Sequence, residues 1–118
     1  MANEQFTWAL DDTREVELTV TGRKSGREFS FPVWFARDGD RLDLVPVNGA
    51  DSAWYKNVLQ TPRIRLSAGG AQLTARAVPV TEPARIAGIL DRFRARYGAH
   101  DVAAYYPKPD AAVEVSLG

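Results

Sequence analysis

Alternation of apolar and polar residues dominates the first half of the chain. Val16, Leu18 and Val20 alternate with Glu17, Thr19 and Thr21, the period of two that marks a half-buried strand. A second run over 29–35 puts Phe29, Phe31, Val33 and Phe35 on one face. Pro32 inside that run marks an edge strand or a bulge, because it cannot donate to a ladder. Asp38-Gly39-Asp40 is a turn signal, and 42–47 returns as a third strand. The three runs predict a meander.

The pattern then changes period. Ser52 stands where it can cap a short helix carrying Trp54, Tyr55, Val58 and Leu59 on one face, and Pro62 stops it. Ile64 and Leu66 alternate with Arg63, Arg65 and Ser67 as a fourth strand. Ala68-Gly69-Gly70 turns the chain into a fifth strand over 72–80. Thr81 and Pro83 open a long helix whose stripe is Ile86, Ile89, Leu90, Phe93 and Tyr97, with Gly98 as its stop. Residues 112–117 read as a sixth strand. Six strands in short hairpins with one late helix predict a mainly β, α+β fold: a small closed or split β-barrel with a helix packed on it.

Composition narrows the class. The 118 residues, without repeat or linker, read as one domain over 1–118, long enough for one modest core. Fifteen basic and fifteen acidic residues cancel, which argues against a nucleic-acid binder. The absence of cysteine removes disulfides, thiolate catalysis and zinc–thiolate or iron–sulfur sites, and a single histidine, His100, removes a histidine-rich metal site. The first residues lack the basic and apolar regions of a signal peptide, and no apolar run has the length of a membrane span. A soluble cytoplasmic protein is the expectation. No nucleophile-elbow pattern surrounds any serine, which disfavours a Ser-His-Asp hydrolase.

Two loops carry candidate chemistry. Residues 21–27 hold Arg23, Lys24, Ser25, Gly26 and Arg27 in one tight turn, able to aim backbone N–H groups and cations at a phosphate. Arginine and lysine in a glycine-bearing segment also make an ordinary solvated hairpin turn, so both readings stand. The second loop, with Val47, Asn48 and Gly49, leads into Trp54 and Tyr55, an aromatic pair able to border a flat ring or simply to seat the short helix in the core. Asn48-Gly49 is equally a turn pair. Tyr105 and Tyr106 form a late aromatic loop, either a connector packed on the helix or a substrate-side wall. His100 reads as a loop histidine. Arg85, Arg92, Arg94 and Arg96 read as a solvated helix face.

The stretch from Leu18 through Thr21-Gly22-Arg23-Lys24-Ser25-Gly26 resembles the deazaflavin-dependent nitroreductase family. The likeness continues through Pro32-Val33-Trp34-Phe35, Asp38-Gly39-Asp40-Arg41-Leu42 and Ala53-Trp54-Tyr55-Lys56-Asn57, roughly residues 14–80. Over the whole chain, Trp8, Asn48-Gly49 with Trp54-Tyr55, and Arg94-Ala95-Arg96-Tyr97-Gly98 resemble a small uncharacterised sister family. Both belong to the flavin-binding split-barrel group, commonly homodimers. The resemblance implies a six-stranded split barrel binding the deazaflavin F420 or, second, FMN. It implies a hydride passed to a quinone, nitro group or activated alkene. By the same resemblance the basic turn at Arg23, Lys24, Ser25, Gly26 and Arg27 grips the cofactor's phosphate and acidic tail, and Val47, Asn48, Gly49, Trp54 and Tyr55 border its ring. A non-catalytic barrel carrying a flavin, haem or lipid-like ligand is the alternative. This chain departs from those relatives in having only about a dozen residues before strand one and a shorter loop, Gly49-Ala50-Asp51-Ser52, ahead of the Trp-Tyr helix.

Overall fold

The computed structural model describes residues 2–11 and 13–117, with the side chains of 2–4 left aside. Seven strands are described, β1 (Glu15–Thr21), β2 (Glu28–Trp34), β3 (Ala36–Asp38), β4 (Arg41–Leu44), β5 (Arg63–Ala68), β6 (Ala71–Val80) and β7 (Ala112–Ser116). Every pairing is antiparallel, in the order β2-β1-β5-β6-β7-β4-β3. The four helices are α1 (Ala2–Leu10), α2 (Ala53–Gln60), α3 (Pro83–Tyr97) and α4 (Ala99–Tyr105). This is the α+β split-barrel architecture.

The strand count rises from six to seven because a short strand, β3, follows the second run. The second run itself pairs with β1 through Val16 opposite Val33 and Val20 opposite Phe29. Past the buried Phe35 the chain crosses to the far edge, and Ala36 pairs with Asp43 of β4. The expected turn at Asp38-Gly39-Asp40 does join a hairpin, β3–β4, but at the far edge of the sheet, so the first strands form two separate hairpins and not a continuous meander. The third strand also ends at Leu44, and 45–48 leaves the sheet as a loop. Pro32 lies on β2, an edge strand, as its missing N–H requires.

Two apolar clusters hold the sheet. The first fills the barrel interior with Leu18, Leu42, Leu44, Leu66 and Val115, closed by Phe6 and Leu10 of α1 and by Tyr55 and Val58 of α2. Helix α1 was not expected from the pattern; among its described side chains Phe6 and Leu10 are buried, a period too short to read. The second cluster lies under α3 and α4, where all five stripe residues, Ile86, Ile89, Leu90, Phe93 and Tyr97, are buried. Glu82 occupies the N-cap and Gly98, with φ of 94°, closes the helix.

Arg85, Arg94 and Arg96 lie on an exposed face of α3 as expected, whereas Arg92 is half-buried. Arg92 Nη2 meets Asp43 Oδ2 at 2.8 Å, and Asp43 is fully buried. Arg41 Nε lies 3.2 Å from the other Asp43 oxygen, close enough for an ion pair though not aligned as a hydrogen bond. Arg85 pairs with Glu114 of β7. The Arg96 guanidinium lies 4.3 Å from the centre of the Phe35 ring, a cation–π contact. Arg94 is exposed and pairs with Asp91. Tyr97 completes the join: its hydroxyl donates to the Arg14 carbonyl at 2.7 Å and accepts from the Phe35 N–H at 3.1 Å.

Candidate functional site

A groove of about 620 Å³ runs between β2, the β1–β2 turn, the loop after β4 and the start of α2. Its origin is visible in the second run. Phe29, Phe31 and Val33 alternate as a core face should, yet Phe29 is 45 % exposed and the other two are half-buried, because all three line this groove. An apolar strand face left open marks this groove as a candidate binding site. Trp54 from α2 forms part of the facing wall, and Val47 and Asn48 border it.

At one end stands the basic turn. The Gly22 N–H donates to the Arg27 carbonyl at 2.7 Å and the Gly26 N–H to the Gly22 carbonyl at 2.9 Å, which closes the loop. Gly26 supplies a φ of 73°, which a residue with a Cβ adopts only with strain. Gly22 is needed for space: a Cβ there would stand 2.7 Å from the Phe29 ring. Gly22, Arg23, Lys24 and Ser25 line the groove. Gly26 and Arg27 do not; both are exposed, and Arg27 acts through its backbone, its N–H donating to Ser25 Oγ at 3.2 Å.

A second depression of about 270 Å³ adjoins the groove and shares Pro32, Val33, Val47 and Trp54 with it. Trp34, Tyr105 and Tyr106 form its aromatic side. The Trp34 ring stacks on Tyr97 at 4.0 Å between centroids, and Tyr105 meets it edge-on at 5.0 Å. Tyr105 is 54 % exposed, with its phenol free of any hydrogen bond among the described residues. Tyr106 is buried against Phe93, and that burial pushes its phenol well above the usual range, so it stays protonated. Glu15 lies at the rim of this depression. Cations at one end and a carboxylate at the other polarise the groove along its length.

The loop between the two regions is strapped from outside. Asp110 accepts the Ala50 N–H at 2.8 Å, and Lys108 pairs with Asp51. The Asn48 N–H donates to Ser52 Oγ at 2.9 Å, so Ser52 braces the loop and makes no side-chain cap for α2. Asn48 and Val47 thus hold fixed positions on the groove wall.

A family description of F420H(2)-dependent quinone reductases matches residues 5–115, nearly the whole chain. The chain belongs to the F420H(2)-dependent quinone reductase family. Its cofactor is F420 and its reaction class is oxidoreduction. Solved structures agree on the fold. An F420-H2-dependent reductase, FDR-A, is 20 % identical with a TM-score of 0.69, the match covering 87 % of this chain and 94 % of that one. A structure described as a domain-swapped dimer is 20 % identical with a TM-score of 0.70, covering 96 % and 95 %. HutZ, a haem storage protein from Vibrio cholerae, is 10 % identical with a TM-score of 0.72, covering 96 % and 87 %.

Most residues singled out in the reductase's sequence gather here. Arg23, Lys24, Ser25, Val47, Asn48 and Trp54 share the groove, and Tyr105 and Tyr106 share the adjoining depression. Tyr55 does not line the groove. It turns into the barrel core, 3 % exposed, where burial raises its phenol pKa. Gly49 is buried behind the loop, and Leu59 points to solvent, 52 % exposed. His100 sits exposed on α4 and not in a loop. Sequence reasoning missed Phe29, Phe31 and Val33 as groove residues, since a strand facing a cofactor and one facing a core alternate identically. It also missed Asn57, a buried polar residue that lines the groove three positions after Trp54.

Proposed function

We propose that this reductase holds F420 in the groove and passes a hydride to a quinone or a similar flat electrophile seated in the adjoining depression. The observation that carries this reading is the polarity of one continuous cleft. Cationic donors lie at one end, apolar walls in the middle and an aromatic recess at the other. The donor set suits the cofactor's charged tail. Arg23 offers a planar fork for phosphate or carboxylate, Lys24 a point charge and Ser25 a neutral donor.

Bound in its reduced form, F420 supplies a hydride. The chain supplies the rest. Phe31, Val33 and Trp54 exclude water and hold a flat ring in place. The Tyr105 phenol is placed to donate a hydrogen bond to an acceptor oxygen as negative charge develops there. No protein nucleophile is required, which accords with a groove lined by neither cysteine nor histidine. We extend the reading to a homodimer formed through the apolar, free edge of β2, where Phe29 is exposed.

Turnover separates a reductase from a ligand carrier. Reduced F420 mixed with catalytic amounts of the protein and menadione should be oxidised far faster than without protein. Changing Tyr105 to Phe should lower that rate by about ten- to a hundredfold while leaving F420 affinity unchanged. Binding without acceleration would make the protein a carrier.

A further inference from the structure

The basic turn is held from outside itself. The Arg23 main-chain N–H donates to Asn57 Oδ1 at 3.1 Å, and Arg23 Nη1 donates to the same oxygen at 2.7 Å. Nη1 also reaches the Ala53 carbonyl at 3.4 Å. Both Arg23 atoms are obligate donors, so the Asn57 carboxamide must present its oxygen to them. Asn57 is 7 % exposed, whereas Arg23 lies on the surface, so the fixed partner is the asparagine. Trp54 and Asn57 are three residues apart on α2 and therefore neighbours on one helix face.

A guanidinium carries five N–H donors in a rigid plane. With Nη1 committed to Asn57 and Ala53, the Nε and Nη2 hydrogens remain for a ligand, the pair that meets phosphate or carboxylate side by side. We propose that Asn57 is a positioning residue for cofactor binding. Its carboxamide oxygen folds Arg23 back over the start of α2 and so presents the free fork to an anionic group in the groove. Helix α2 thereby fixes the anion grip and the Trp54 wall relative to each other. The inference rests on the F420 reading of the groove, and adds how the grip is made ready before the cofactor arrives.

A double-mutant cycle tests it, with F420 affinity measured by fluorescence titration on wild type, Asn57→Ala, Arg23→Ala and the double variant. Asn57→Ala should weaken binding about five- to twentyfold, the effect of losing one charge-assisted hydrogen bond's worth of preorganisation. The double variant should bind no more weakly than Arg23→Ala alone. A general structural role would instead weaken binding equally in both Arg23 backgrounds, and that result, or unchanged affinity in Asn57→Ala, overturns the proposal. If Asn57→Ala does not fold, Asn57→Leu decides, since it keeps the side chain's volume and removes the acceptor oxygen, so unchanged F420 affinity would overturn the idea. Amide hydrogen exchange on the ligand-free protein provides an arm independent of F420. The Arg23 N–H should be protected in wild type and lose protection in Asn57→Ala. If wild type takes up no F420, the functional reading fails and this exchange measurement alone judges the positioning claim. An unprotected Arg23 amide in wild type would refute it.

Discussion

Gly49 shows how a single atom can set a wall of the groove. Its φ is 58°, and a Cβ there would overlap Asp110 Oδ1 and the Lys108 carbonyl oxygen. Gly39 has nearly the same φ, 61°, but open space around it. The pair isolates the steric effect from the backbone strain. Gly39→Ala should cost about 1–2 kcal/mol from left-handed strain alone and leave F420 binding untouched. Gly49→Ala should cost more and also weaken F420 binding, because the loop must leave Asp110 and carry Val47 and Asn48 with it. Thermal melts and titrations on both variants check this, and equal behaviour would contradict it. The strap itself spans neutral pH. Its hydrogen bond with Lys108 lowers the Asp51 pKa, so that contribution disappears only as pH falls through the low carboxylate range. The same bond raises the Lys108 pKa, so its contribution is lost only on the alkaline side, as pH rises through that raised value. At this scale the sequence told part of the story. Asn48-Gly49 reads as a turn pair from its residue types, but nothing local shows that Asp110, some sixty residues on, fills the space beside it.

Among the elements, β2 carries the most information. It is an edge strand with Pro32 in its middle, one face turned to the groove and Phe29 exposed. An open apolar edge invites pairing with another chain. We expect a homodimer by light scattering at micromolar concentration, and Phe29→Lys should shift it toward monomer. A wild-type monomer would contradict the dimer. Regular periodicity was what made elements legible. The five-residue stripe of α3 and the alternation in β1 and β5 were readable because each element lays its apolar residues on a buried face. The extra strand β3 after the second run was not, since it depends on β4 lying alongside it. The ion-pair partners of α3 were hidden for a related reason. Arg92 and Arg85 lie off the stripe, but Asp43 and Glu114 await them on the sheet.

The molecule as a whole is a split barrel with one open side. Its core is closed by α1 and α2 within, and its second face by α3 and α4. What remains uncovered is the cleft from Arg23 past Trp54 to Tyr105, polarised by Lys24 at one end and Glu15 at the other. An anionic tail and a flat head enter such a field in one orientation only. That is why the turn and the Trp-Tyr segment, far apart in sequence, could be read together: each had a chemistry of its own, and the fold joined them. The central claim is that this cleft takes up F420 by its anionic end. It is tested most directly by titrating the purified protein with F420, with FMN run alongside. Saturable F420 binding is expected, preferred over FMN and weakened at least about tenfold by each of Arg23→Ala and Lys24→Ala. No binding of F420, or binding indifferent to both substitutions, would contradict it.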